Sequence, residues 1–309
     1  MISVIIATRN RPDKIGPCLN SILKNSFSDF EVLVADQSDG RQTEEAVRRF
    51  RDRKVSYFRL NNRGKSKALN FLIPRAQGEI LAFTDDDCLV SRGWLKAVNV
   101  SFKKNPMVVG LFGLVLPYQP QAHAGQFCPA TVSGQKEKLY TRPFCHSGKI
   151  SGNNMAYRKK VFEEFGLFDE RYGPNAITGS TEDAEMMLRV LIGRGKILYS
   201  PRVRIYHNRW LEPGPYQRTM LVYLGSSTVC YSYYALGGHL FAKKVVRHRF
   251  LKLYWLFEKE LRFFIKKSCF DFGRLVLAGR ELWFQLRGSW LGFRFYLSDS
   301  WRLVFKRRN

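Results

Sequence analysis

The feature that most constrains this chain is a recurrence in its first third. Four short runs rich in Val, Ile, Leu and Phe, at Ile2–Ala7, Phe30–Ala35, Val55–Leu60 and Ile80–Thr84, are separated by polar breakers and by segments of helical spacing. Apolar runs of strand length that alternate with helical patterns predict a parallel α/β sheet, with helices over Pro12–Lys24, Gln42–Arg51 and Lys65–Arg75. Pro12 suits the first turn of its helix, where the missing N–H has no partner to lose. The run Ile2–Ala7 begins almost at the first residue and reads as a buried strand, with no signal peptide expected.

In such sheets ligands sit beyond the carboxyl ends of the strands. Those ends carry Thr8-Arg9-Asn10, Asp36, Asn61-Asn62 and Asp85-Asp86-Asp87. Three adjacent carboxylates at one strand end repel one another unless a cation neutralises them, and hard oxygen ligands suit Mg²⁺ or Mn²⁺ shared with substrate phosphates. The stretch Asn62-Arg63-Gly64-Lys65 opens a helix whose N–H groups and basic side chains can meet a diphosphate.

Beyond this block the pattern changes twice. Pro117–Lys149 is rich in Pro, Gly, Gln and His without period and is expected to be a long loop covering an acceptor. Ile150–His207 returns to apolar runs, with a helix expected at Glu182–Arg194 and a strand pair at Ile197–Tyr199 and Val203–Tyr206. We therefore expect one domain over residues 1–209 and a helical region over 210–309.

Charge separates the two. The whole chain carries 51 Lys and Arg against 26 Asp and Glu, a formal +25. Residues 210–309 hold 18 basic and 6 acidic residues with aromatics interleaved, and Leu251–Lys267 reads as a basic amphipathic helix able to lie in a lipid interface. Its rival reading is a helix packed on the rest of the protein with a solvated basic face. Thr219–Ala242 lacks Asp, Glu, Lys and Arg, so a helix there reaches roughly 36 Å. Its Gly, Ser, Thr and Tyr content makes it only mildly apolar, which favours a buried or interfacial helix over a span. The six cysteines are scattered, with no C-x-x-C pair and no zinc-finger spacing, which fits a reducing compartment.

The segments SVIIATRNRP, VADQSDG, GEILAFTDDDC, SGNNMAYRK, FGLFDERYG, TEDAEMMLRVL and ILYSPRVRIYH, in this order and spacing, resemble the family-2 inverting glycosyltransferases over about residues 1–208. The resemblance implies a GT-A fold, a Rossmann-like α/β architecture with a mainly parallel sheet flanked by helices, followed here by basic aromatic-rich helices. It implies a nucleotide-sugar donor, a divalent cation and a glycan or lipid-linked acceptor. By it, Thr8 and Asp36 meet the nucleoside, Asp85 and its neighbour Asp86 the donor, and Lys65 the diphosphate. Asp87 holds the metal, with His207 at the metal or the diphosphate. Gly152, Asn153 and Asn154, with Glu182, belong to the sugar and acceptor pocket, and Asp183 is the general base. Arg189 is placed to steady that base or the leaving phosphate, or else to form an ion pair. Many members carry two acidic residues where this chain has Asp36-Gln37, which leaves open the choice among UDP, GDP and dTDP, with UDP favoured.

The basic tail adds an anionic membrane surface as partner, and a cytoplasmic protein peripheral on the inner face of the plasma membrane. Two other classes compete. A nucleic-acid-binding protein accounts for the charge but not for carboxylates at strand ends, so no nucleic acid is expected. A non-catalytic relative sits poorly with retention of Asp85, Asp87, Asp183 and His207.

Overall fold

A computed structural model describes residues 1–146, 148–267 and 272–306. They form two compact units, residues 1–177 with 182–216, and residues 178–181 with 217 onward. The expected boundary after residue 209 falls inside the first unit.

The first unit alternates strand and helix as the sequence pattern requires. It opens β1 (Ile2–Thr8), α1 (Pro12–Leu23), β2 (Phe30–Asp36), α2 (Gln42–Arg48), β3 (Val55–Arg59), α3 (Lys65–Leu72) and β4 (Ile80–Thr84). Next come β5 (Cys88–Val90), α4 (Trp94–Lys104), β6 (Val108–Pro117) and β7 (Lys138–Tyr140). It closes with β8 (Asn154–Arg158), α5 (Lys160–Glu164), α6 (Glu182–Ile192) and β9 (Lys196–His207). Helix α1 starts with Pro12 in its first turn and buries Ile15, Cys18, Leu19 and Ile22, one stripe at i, i+3, i+4, i+7 spacing against the sheet. The strands β1, β2 and β4 are buried almost throughout, as expected for parallel strands covered on both faces.

The strand order β3-β2-β1-β4-β8-β6-β9-β5 is parallel from β3 to β4, and β7 adds to β9. β8 then runs antiparallel between β4 and β6. This inserted strand has a consequence for chemistry. Thr84, at the carboxyl end of β4, pairs with Asn154, at the amino end of β8. Gly152 and Asn153 therefore arrive beside Asp85–Asp87. Thr8 pairs with Asp36, and Cys88 with His207, so with Thr84 and Asn154 six strand ends meet at the carboxyl end of β1, β2 and β4.

Two expectations are corrected. The strand pair 197–199 and 203–206 is one strand, β9, whose register against β6 slips between Gly113–Ser200 and Leu114–Arg204. Pro201 lies in the slipped stretch, where its missing N–H interrupts no ladder bond. The expected loop Pro117–Lys149 is partly built: Pro120–His123 forms a 3-10 turn, β7 joins the sheet, and bridges tie Val115 to Val132 and Phe127 to Leu211.

The second unit consists mainly of α7 (Pro213–Leu236), α8 (Leu240–Lys267) and α9 (Phe272–Lys306). The uncharged stretch 219–242 is not one helix, because α7 ends at Leu236 and Gly238 adopts a left-handed φ of 92° before α8 begins. No helix among the described residues is long and apolar enough to cross a membrane. Leu251–Lys267 is helical, but of its side chains only those of residues 251, 252, 254 and 255 are described, and Cys269 lies outside the described residues. The other five cysteines are free thiols.

Candidate active site

The turn after β4 directs its three carboxylates differently. Asp85 is the most open, and its Oδ1 accepts from Lys65 Nζ at 2.5 Å. Asp86 is buried and accepts from Thr8 Oγ1 at 2.7 Å and Arg11 Nη1 at 2.8 Å. Asp87 is buried, accepts from Arg11 Nη1 at 2.9 Å, and faces His207 Nε2 at 3.3 Å. Arg11 is thus the counter-ion of the buried pair.

The electrostatics follow from burial and neighbours. Burial pushes the Asp86 carboxyl up to about 6, against the pull of Arg11. Burial acts on Asp87 in the same sense but is outweighed by His207 and Arg11, which hold it well below the usual carboxylate range. Burial lowers His207, yet the bonds to Asp87 and Cys128 carry it up to about 10.

Around His207 the donor set has the form of a cation site. Nδ1 donates to the Pro129 carbonyl at 2.8 Å, which orients the ring and aims Nε2 at Asp87, where a bound cation would take the place of the Nε2 proton. Two donors at right angles on one cation at about 2.1 Å lie about 3 Å apart, close to the 3.3 Å between Asp87 Oδ1 and His207 Nε2. Cys88, opposite His207 across the β5–β9 pair, lies in the same cluster, all three within 4.8 Å of one another, but burial pushes its thiol well above the usual range, so the ligands for a hard cation are Asp87 and His207. The residues present therefore fit a divalent cation.

A second cluster lies at the start of α6. Glu182 is buried, and its Oε1 lies 3.1 Å from Lys65 Nζ, so Lys65 bridges the β4 turn and the α6 N-terminus. Burial alone lowers the Lys65 ammonium, but Asp85 and Glu182 hold it well above the usual lysine range. Asp183 Oδ1 accepts from Ala184 N–H at 2.8 Å, and the Gly152 N–H also points to this carboxylate. Burial and the neighbouring Glu182 raise Asp183 to about 6, against the pull of Lys65. Gly152 is required by space: a Cβ there would lie 2.8 Å from Asp183 Cβ and 3.0 Å from its Oδ2. Beside it, the buried amide of Asn153 has no hydrogen-bond partner among the described residues at either Oδ1 or Nδ2. A buried amide left unpaired points to a ligand hydroxyl or water as its partner.

Several residues sit differently from expectation. Asn154 is fully committed to the protein: Oδ1 accepts from Trp94 Nε1 at 2.9 Å, and Nδ2 donates to Leu114 O and Val203 O at 2.9 Å each. Its amide ties α4, β6 and β9 to β8, with both N–H groups spent on the protein and Oδ1 buried against Trp94, which leaves it no donor for a sugar. Arg189 forms the ion pair rather than reaching a phosphate, meeting Glu185 at 2.6 Å and the carbonyls of Phe165 and Leu167. Asp36 accepts from Ser38 N–H and Tyr57 O–H, both at 2.8 Å. Gln37, the departure from the doubly acidic pattern, donates to Asn62 Oδ1 at 2.9 Å and Gly64 O at 3.2 Å, bracing the loop before Lys65. Arg11 and Cys88 escaped the sequence reading. Both stand next to motif residues, but Asp86, which Arg11 neutralises, and His207, which Cys88 faces, lie 75 or more positions away in the chain.

Residues 3–166 match the family model described as Glycosyl transferase family 2. Poly(ribitol-phosphate) beta-N-acetylglucosaminyltransferase TarS of Staphylococcus aureus is 35% identical over 99 residues, covering 30% of this chain but only 17% of TarS. Glucosyl-dolichyl phosphate glucuronosyltransferase of Haloferax volcanii is 21% identical over 215 residues, 67% of this chain and 68% of its own. Among solved structures, the mannosyltransferase PcManGT of Pyrobaculum calidifontis with GDP-Man and Mn²⁺ superposes with TM-score 0.65 at 18% identity, covering 96% of this chain and 87% of its own. S. aureus TarS 1-349 with UDP gives TM-score 0.56 at 20% identity, covering 73% and 64%. At these identities the structural likeness speaks to the fold, which is GT-A.

Proposed function

This chain belongs to glycosyl transferase family 2, and on that premise we propose that it transfers a sugar, with inversion, from a nucleoside diphosphate donor to a hydroxyl of a glycan or lipid-linked acceptor. The observation that carries the reading is the Lys65 bridge, which joins a donor-facing acid, Asp85, to the α6 start where Asp183 waits with a raised pKa. UDP is the favoured leaving group. The UDP complex of TarS and the GDP-Man and Mn²⁺ complex of PcManGT support a nucleoside diphosphate.

Thr8 and Asp85 are assigned to the nucleoside end, Asp36 supports it from beneath through Ser38 and Tyr57, and Asp86, held by Thr8 and Arg11, positions the turn. Asp87 and His207 would hold Mn²⁺ or Mg²⁺. When bound, that cation stabilises the charge developing on the leaving diphosphate. Lys65 adds positive charge at the same end. Gly152 keeps Asp183 in place, and Asn153 offers its unpaired amide to a sugar or acceptor hydroxyl. Asp183 takes the acceptor proton as the oxygen attacks the anomeric carbon. The bond from that carbon to the phosphate oxygen breaks, and its electron pair leaves with the nucleoside diphosphate. A base near 6 is ionised at neutral pH yet still basic enough to accept a proton. The acceptor is proposed to be met at the inner face of the plasma membrane, in surface glycan synthesis.

The test is transfer from UDP-, GDP- and dTDP-sugars to membrane lipid extracts and glycan fragments, with released nucleoside diphosphate and product anomeric configuration read by NMR. Inverted product that disappears in Asp183→Asn, with donor binding kept, supports the reading. Retained configuration, or equal turnover in the variant, rejects it.

A further inference from the structure

Helix α9 presents two chemically opposite faces. On one, Ala278, Gln285, Leu291 and Phe295 are buried. Gly288 and Gly292 lie so near α7 that an added Cβ would meet Gly225 O at 2.6 Å or Val229 O at 2.7 Å. Ser232 and Ser289 hydroxyls meet at 3.3 Å, and Tyr233 O–H donates to Asp299 at 3.0 Å. This face is fastened to α7 by close backbone approach.

About half a turn away, at roughly 100° per residue, runs a continuous stripe at heptad spacing. Trp283 and Trp290 are each 56% exposed, Leu286 53%, Phe293 46% and Leu297 39%. Large apolar side chains aligned this way on a solvent face mark an interaction surface. Along one edge Arg280, Arg287 and Arg294 repeat every seventh residue and are exposed. The Arg287 guanidinium lies 5.5 Å from the Trp283 ring centre and that of Arg294 4.9 Å from Trp290. The described acidic residues of α9, Glu281 and Asp299, fall on the other side of the helix, away from the stripe.

We infer that the Trp283–Leu297 face of α9 docks on an anionic lipid bilayer and lies flat in its interfacial zone. Indole rings suit the level between headgroup and acyl chain, and arginines at the rim meet lipid phosphates and carboxylates. A second copy is the poorer occupant. A two-fold antiparallel pairing of the stripe would set Arg287 against its own image and Arg280 against Arg294, like charge on like. No described helix is apolar enough to span, which accords with docking on the surface. The inference deepens the proposed membrane-borne acceptor and rests on that reading for its purpose, whereas its evidence is the face itself.

The test is flotation of the full chain with vesicles of phosphatidylcholine alone or with 30% phosphatidylglycerol, at low and high salt. The variants are Trp283→Ser/Trp290→Ser, and Arg280→Gln/Arg287→Gln/Arg294→Gln. Wild type should float with anionic vesicles, and the Trp variant at least tenfold less. The Arg variant should lose the preference for anionic lipid, and brominated lipid should quench wild-type tryptophan fluorescence. Circular dichroism and nucleotide-sugar titration, unchanged in both variants, separate a failure of docking from a failure of the sugar-transfer reading. The inference is overturned by wild type remaining unbound, by the Trp variant floating equally well, or by Trp283→Ser/Trp290→Ser dissociating a dimer without altering flotation.

Discussion

Replacing Asp183 by Asn should make the protein more stable and nearly inactive. The carboxyl rises from 3.8 to about 6 because it is enclosed beside Glu182. At about 1.4 kcal/mol per tenfold change in dissociation constant, holding it ionised at neutral pH costs about 3 kcal/mol. Asn removes the charge but keeps only one good acceptor for the N–H groups of Ala184 and Gly152, a loss of about 1 kcal/mol. The net expectation is a gain of about 2 kcal/mol at pH 8. The folded pKa is above the unfolded value, so the penalty is absent below about pH 4, grows from 4 to 6, and is complete above 6. Urea unfolding at pH 8 and pH 4.5, followed by tryptophan fluorescence, should therefore show a stabilised variant at pH 8 and little or no gain at pH 4.5. Turnover should fall about 10²- to 10⁴-fold, the usual contribution of a general base. A variant destabilised at pH 8, or equally stabilised at both pH values, would refute the claim that Asp183 is kept in a strained ionised state for proton abstraction.

Further expectations come from the same geometry. Gly152→Ala places a methyl group 2.8 Å from Asp183 Cβ and should lower kcat at least tenfold with donor affinity retained, measured by steady-state kinetics and calorimetry. Asn154→Ala leaves Trp94 Nε1 and the carbonyls of Leu114 and Val203 without their partner, and should cost about 3 kcal/mol in urea unfolding. The acid limb of kcat/KM against pH should fall with an apparent pKa near 6 and vanish in Asp183→Asn, whose residual rate stays flat over the same range.

What the sequence discloses depends on the range of the interactions involved. The strands Ile2–Ala7, Phe30–Ala35 and Ile80–Thr84 are legible because burial on both faces demands continuous apolar runs, a local property. The position of the acidic turn follows from them. The slip in β9 at Pro201 is not legible, since a proline inside an apolar run reads as a break, and only the pairing with β6 shows that one strand continues past it. Asn154 is indistinguishable in sequence from Asn153, yet one amide is spent inside the sheet and the other has no partner among the described residues. Arg11 neutralises Asp86 and Asp87 from 75 and 76 residues away, a relation that only the adjacency of β1 and β4 creates. The break between α7 and α8 is written in Gly237-Gly238, but the uncharged stretch around it masks the signal.

The central claim is tested most directly by isothermal titration calorimetry of UDP-, GDP- and dTDP-sugars with Mn²⁺ and with EDTA, on wild type and Asp87→Ala. Binding of one donor that requires Mn²⁺ and weakens at least tenfold in Asp87→Ala is the result expected of a site in which Asp87 and His207 hold the cation against a diphosphate. Donor binding indifferent to metal and to the substitution, or no binding of any donor, would contradict it.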